Sequence, residues 1–126
     1  MSARVLYIED NNENRMLVQR VLLAEGYEVE TAASAKLGIE IAINNPPDII
    51  LMDINMPDMD GFMATARLRE IPHLDDVPII AVTANVMKGD MEETLAAGCD
   101  GYIPKPIDID RFPEELEYFL RKKRSY

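Results

Sequence analysis

The sequence predicts an α/β fold: a doubly wound, five-stranded parallel sheet with helices on both faces. Three observations predict it. Short apolar runs alternate with segments of helical periodicity five times over, the pattern of a parallel sheet covered by helices. The central run, Ile49-Ile50-Leu51-Met52, has no polar alternate position, as in a strand buried on both faces. The runs also stop at residues that turn the chain or cap a helix, such as Asn11, Pro57-Asp58 and Gly61. Right-handed crossovers then restrict the topology.

Val5-Leu6-Tyr7-Ile8 reads as the first buried strand, ending in Glu9-Asp10. Asn11 or Asn12 can cap the helix that follows. Leu17, Val18, Val21 and Leu22 recur along it at helical spacing, and Gly26 ends it. Glu28-Val29-Glu30-Thr31 alternates polar and β-branched residues, as a half-exposed edge strand does. Ser34 opens a second helix carrying Leu37, Ile39, Ala42 and Ile43, closed by Asn44-Asn45-Pro46-Pro47. The strand leading to Asp53 comes next, and Asp60 can cap a third helix reaching about Arg69. Ile71 to Val77 reads as a loop; its histidine, His73, is taken as a solvated surface residue without a role. Val77 to Val82 is the fourth strand, with Pro78 near its start, where a strand tolerates it. A helix from Lys88 to Ala97 follows, with Gly98 as its stop. Gly101-Tyr102-Ile103 is a short fifth strand, then Pro104-Lys105-Pro106. The last helix reaches about Lys123. With Asp110 as its cap Pro113 falls in the first turn; with Asp108 as its cap Pro113 breaks one hydrogen bond.

The length of 126 residues predicts one domain, residues 1–126, large enough to bury a core without disulfides or metals as staples. A single cysteine, Cys99, precludes an internal disulfide and points to a reducing compartment. The start, Met1-Ser2-Ala3-Arg4, lacks the shape of a signal peptide, and no apolar run is long enough to span a membrane. A cytoplasmic protein that makes no membrane contact is expected. A net charge of −10 repels a phosphate backbone, which argues against direct nucleic-acid binding. Arg121-Lys122-Lys123-Arg124 are read as cations complementing the negative end of the last helix.

In a parallel sheet all C-terminal strand ends share one edge, where ligands bind. This chain places Glu9 and Asp10, Asp53, Thr83 and Lys105 there. Three carboxylates together repel one another, and a hard divalent cation relieves the repulsion. Mg²⁺ suits best, because it takes one or two carboxylates and shares oxygens with a phosphate. Lys105 can neutralise an incoming phosphoryl group, Thr83 can donate a hydrogen bond to it, and an Asp can accept it as an aspartyl phosphate. Phosphoryl transfer needs mostly positioning and charge neutralisation, and this rim offers both.

Glu9-Asp10, the run from Met52-Asp53 to Asp60-Gly61, Thr83-Ala84 and Lys105-Pro106 together resemble the receiver domain of two-component response regulators, over nearly the whole chain. The resemblance implies a flavodoxin-like sheet of strand order 2-1-3-4-5. It implies Asp53 as phosphoacceptor, and Asp10, Asp53 and the backbone carbonyl of Asn55 as Mg²⁺ ligands, with Glu9 acting through water. It implies Lys105 as the phosphoryl-binding lysine, its bond to Pro106 cis in many relatives, Thr83 as the switch hydroxyl and Tyr102 as the switch aromatic. Partners would be a histidine kinase or histidine phosphotransfer protein and a downstream protein target. The chain ends after the last helix, as single-domain receivers of the chemotaxis type do. Lys105-Pro106-Ile107 and Met87-Lys88-Gly89-Asp90 look more like receivers of phosphorelays and hybrid kinases.

Other functions fit less well. A phosphohydrolase of the haloacid-dehalogenase type wants an Asp two residues after its nucleophile, and that position holds Asn55. A flavin-binding protein of the same topology wants a hydroxyl-rich phosphate loop after the first strand, where Glu9-Asp10 would repel the phosphate. A degenerate receiver that only binds partners would not need the full set of chemical groups. The expected protein is therefore a switch and not a turnover enzyme; its catalysis is confined to its own phosphorylation and slow dephosphorylation.

Overall fold

The computed structural model describes residues 3–54, 56–84, 92 and 95–122. Strands β1 (Arg4–Ile8), β2 (Glu28–Ala32), β3 (Ile49–Asp53), β4 (Ile79–Thr83) and β5 (Gly101–Pro104) form one sheet in the order β2-β1-β3-β4-β5. Every pairing is parallel, as the sequence predicts. Four α-helices are found among the described residues: α1 (Asn12–Ala24), α2 (Ala35–Asn44), α3 (Gly61–Arg69) and α4 (Phe112–Arg121). Of the helix expected over Lys88–Ala97, Glu92, Leu95 and Ala96 are helical, and Gly98 follows at φ +105°. Residues 85–91, 93 and 94 lie outside the described residues.

Strand alternation sorts the core into two layers. Leu6, Ile8, Ile50, Met52, Ile79 and Ala81 face one way and pack against Ala35 and Ala42 of α2 and Ala64 and Leu68 of α3. Val5, Tyr7, Ile49, Leu51, Ile80, Val82 and Ile103 face the other way, against Val18 and Leu22 of α1 and Phe112 and Leu116 of α4. β3 and β4 are buried throughout, whereas β2 is the half-exposed edge its alternation foretells. Each such aliphatic side chain contributes about 1.5–3 kcal/mol on full burial, and β3 and β4, buried at every position, gain most from it.

Three caps agree with the sequence. Asn11 Oδ1 accepts from Asn14 N at 2.9 Å, Ser34 Oγ from Leu37 N at 3.2 Å and Asp60 Oδ1 from Phe62 N at 2.8 Å. The start of α4 follows neither alternative. Its N-cap is Arg111, with no side-chain cap, and Pro113 sits in the first turn. Asp108 instead shapes the preceding turn: its carbonyl accepts from Arg111 and Phe112, and its Oδ1 from Asp110 N.

Some inward faces differ from those expected. Leu17 in α1 and Leu37 and Ile43 in α2 are exposed. The buried residues of α2 are Ala35, Gly38 and Ala42. A Cβ on Gly38 would stand 2.4 Å from Ile8 Cδ1, so the helix lies close against β1 and only small residues fit between them. β4 begins at Ile79, two residues later than expected, and takes in Thr83. The loop before it contains one 3₁₀ turn, Pro72–Leu74, in which His73 is exposed.

Candidate functional site

Strand parity decides which side chains meet. Glu9 follows Val5 and Tyr7, Asp53 follows Ile49 and Leu51, and Lys105 follows Ile103, so all three leave the sheet on the α1/α4 face. Thr83 follows Ile79 and Ala81, on the α2/α3 face. Lys105 Nζ accordingly bridges the two buried carboxylates, at 2.8 Å from Glu9 Oε1 and 3.3 Å from Asp53 Oδ1. Each of Glu9, Asp10 and Asp53 offers an oxygen within 4.8 Å of the others. Glu9 is 1% exposed and Asp53 2%, whereas Asp10 is open to solvent. The structure thus brings together the four charged groups the strand ends predict. Thr83 is buried at the end of β4, and its carbonyl accepts from Lys105 N at 2.9 Å. Tyr102 is half-buried on the α2/α3 face, in register with Ala81. Asn55 lies outside the described residues.

The turn after β3 is tight. Gly61 N donates to Ile54 O at 3.0 Å, and a Cβ on Gly61 would stand 2.7 Å from both Asp53 O and Ile54 Cα. Only a residue without a side chain lets α3 begin this close to the Asp53 backbone. The Lys105–Pro106 peptide is cis.

Four residues in the site have no place in the strand-end reading. Tyr7 Oη donates to Glu9 Oε1 at 3.0 Å, and Asn14 Nδ2 donates to the same oxygen at 3.3 Å. Asn11 N donates to Glu9 Oε2 at 3.3 Å, and Arg15 Nη1 donates to the Glu9 carbonyl at 2.7 Å. Tyr7 carried a readable signal: a phenol in an otherwise aliphatic buried strand, two residues before an acid and therefore on its face. Asn14 and Arg15 lie on α1, whose rotation about its axis the periodicity did not fix.

Burial opposes the charge on Glu9, but the Lys105 ammonium and the Asn11 amide overcome it and hold this carboxyl below the usual range. Burial alone would lower the Lys105 ammonium; Glu9 and Asp53 outweigh it, and the net direction is up. Burial, and then the charge of Glu9, raises the Tyr7 phenol, so it keeps its proton and acts as a donor.

The donor set fits a hard divalent cation. It consists of carboxylate oxygens, at least one of them open to water, and no nitrogen or sulfur ligand is among them.

Residues 5–117 match the family described as the response regulator receiver domain, and the chain belongs to that family. It is 39% identical over 120 residues to the polar-differentiation response regulator DivK of Brucella ovis, an alignment covering 95% of this chain and 98% of DivK. Its fold is similar to the chemotaxis protein CheY4 of Vibrio cholerae, with a TM-score of 0.90, 30% identity, and 94% and 98% of the two chains covered. It is also similar to the receiver domain of the sensor histidine kinase PA1611 from Pseudomonas aeruginosa, with a TM-score of 0.87, 33% identity and 96% and 99% covered; that structure has a magnesium ion coordinated in its active-site cleft. The chain is thus a response regulator of the type that DivK and CheY4 exemplify. Among the described residues, no helix is long and apolar enough to cross a membrane.

Proposed function

We propose that this receiver is a phosphorylation switch in which Asp53 takes a phosphoryl group from the phosphohistidine of a histidine kinase or histidine phosphotransfer protein, and the change alters its binding to a downstream protein. The observation that carries the reading is the Lys105 ammonium set between two buried carboxylates, with a third carboxylate open to solvent beside them. An oxygen of Asp53 forms a bond to phosphorus as the phosphorus–nitrogen bond of the donor breaks. The bonding pair leaves with the imidazole, which takes up a proton from solvent. Lys105, already within reach of Asp53, follows the added negative charge. Asp10 and Asp53 would hold Mg²⁺, with the Asn55 carbonyl as a further ligand and Glu9 acting through water. When bound, the cation offsets charge on the phosphoryl oxygens.

The readout uses the other face of the sheet. The new phosphoryl oxygens are strong acceptors that draw the Thr83 hydroxyl inward. Space opens toward β5, where Tyr102 shares the Thr83 face and turns from half-buried to buried. The phosphate shifts an existing equilibrium by its different affinity for the two states. A cytoplasmic setting suits the single buried thiol, and the surface charge favours proteins over nucleic acid as targets.

Incubation with acetyl phosphate and Mg²⁺ tests the acceptor. Wild type is expected to gain an acid-stable, base-labile label and Asp53→Asn none; label of wild-type extent on the variant refutes the assignment. Mg²⁺ titration should show a larger loss of affinity for Asp10→Ala than for Glu9→Ala. With a beryllofluoride adduct, amide shifts confined to the Asp53 rim and absent around Tyr102 would refute the switch.

A further inference from the structure

Tyr7 is fully buried, and its ring lies in the apolar layer against α1 and α4. The strand residues beside it, Val5, Ile49 and Leu51, are aliphatic and carry no polar group. A buried hydroxyl needs a partner, and this one donates to Glu9 Oε1 at 3.0 Å. Asn14 Nδ2 at 3.3 Å and Lys105 Nζ at 2.8 Å converge on that same oxygen. The other oxygen takes the Asn11 amide at 3.3 Å. Two neutral donors, on β1 and α1, thus share this oxygen with the ammonium of Lys105 and fix its place. Oε1 receives these three donors and has little lone-pair capacity left for a cation, which leaves Oε2 to reach it through water.

We propose that Tyr7 is a positioning residue of the phosphoryl-transfer site: with Asn14 it turns Glu9 inward, so that Glu9 anchors Lys105 and reaches the cation only through water. Metal ligation then falls to Asp10 and Asp53, and the phosphoryl-binding ammonium starts from one fixed place. The inference rests on the roles given above to Asp53 and Lys105. Tyr7→Phe removes one oxygen atom and keeps the ring that fills the layer. Glu9 then loses its buried donor and turns toward the rim, which adds negative charge where the cation binds and loosens Lys105.

The test compares wild type, Tyr7→Phe, Glu9→Gln and the double variant. Mg²⁺ affinity is followed by amide NMR, and phosphorylation by acetyl phosphate is followed at saturating Mg²⁺. Losing a hydrogen bond to a charged group should tighten Mg²⁺ binding by about tenfold in Tyr7→Phe and slow phosphorylation by about the same factor. In the Glu9→Gln background the same substitution should change either quantity by less than about twofold, because the coupling runs through the carboxylate. Equal effects in both backgrounds would reduce Tyr7 to a packing residue, and unchanged Mg²⁺ affinity in Tyr7→Phe would overturn the proposal. If wild type takes no label on Asp53, the acceptor reading fails; the Mg²⁺ titrations still decide whether Tyr7 holds Glu9.

Discussion

Asp53→Asn should make the protein more stable in the absence of Mg²⁺. Asp53 is 2% exposed and shares its surroundings with Glu9, which is 1% exposed. Its contact with Lys105 at 3.3 Å is worth about 5 kcal/mol of attraction at an effective dielectric near 20. Repulsion from Glu9, within 4.8 Å, takes back at least about 3.5 kcal/mol of that, and solvent-exposed Asp10 adds to it. The remaining attraction of at most about 1.5 kcal/mol is smaller than the several kcal/mol needed to desolvate a second carboxylate. Asparagine keeps the shape and leaves Lys105 with its shorter, 2.8 Å contact to Glu9. The expected gain is about 1–3 kcal/mol, or roughly 4 °C of Tm for each kcal/mol in a chain of this size. Urea denaturation with EDTA and then with Mg²⁺ measures it. A cation at about a hundred times its Kd should stabilise wild type by about 2.7 kcal/mol and the variant far less, which narrows or inverts the gap. If Asp53→Asn is less stable than wild type in EDTA, or responds to Mg²⁺ as wild type does, the charge argument is wrong.

Arg69 at the end of α3 donates to the carbonyls of Gly98, Leu74 and Val77 and pairs with Asp100 at 2.6 Å. Arg69→Met should therefore cost about 3 kcal/mol in urea denaturation, and Arg69→Lys, lacking the planar fork, should recover less than half of it. Gly61→Ala should cost about 1–3 kcal/mol, because its Cβ meets backbone that cannot swing aside; a stability equal to wild type would mean the turn is looser than 2.7 Å allows. Burial pushes the Cys99 thiol from its ordinary 9 up to about 11, against the smaller pull of Thr65 and Arg69. Its folded pKa is raised, so its contribution is complete below pH 9 and is lost as pH rises toward 11, by about 2–3 kcal/mol. Denaturation across that window should show a loss larger in wild type than in Cys99→Ala by this amount, the remainder coming from groups such as Tyr7 and Lys105 whose folded pKa is also raised.

The strands and the site were legible for the same reason. β3 and β4 are buried on both faces and read as unbroken apolar runs, and a parallel sheet sends every C-terminal end to one edge. Glu9, Asp53 and Lys105 could be brought together from the element order alone. Depth was not legible. Periodicity locates the apolar arc of α2 but not how closely it approaches β1: Ala42 is inside as expected, but Leu37 and Ile43 are exposed and Ala35 and Gly38 are buried in their place. The Arg69 clamp was missed because three of its acceptors are backbone carbonyls, which carry no sequence signature. The Asp108 turn was missed because two residues could each have capped α4, and neither does.

Strand parity also explains how one rim can hold both chemistry and readout. Odd-numbered residues of β1, β3 and β5 face α1 and α4, and the charges they carry at their ends meet there. Odd-numbered residues of β4 face the other layer, because β4 pairs Val82 with Asp53 and Ala81 with Met52. Thr83 therefore approaches the Asp53 end of β3 from the side opposite Lys105. In the proposed switch a phosphoryl group on Asp53 is held by a cation from one face and by a hydroxyl from the other. The ammonium neutralises charge, which any phosphorylated acid would need. The hydroxyl is tied through β4 to the face that carries Tyr102, so its displacement is the part of the response that leaves the site. Thr83→Ala should then accept phosphate at close to the wild-type level while the amides around Tyr102 stay where they are in the unphosphorylated protein.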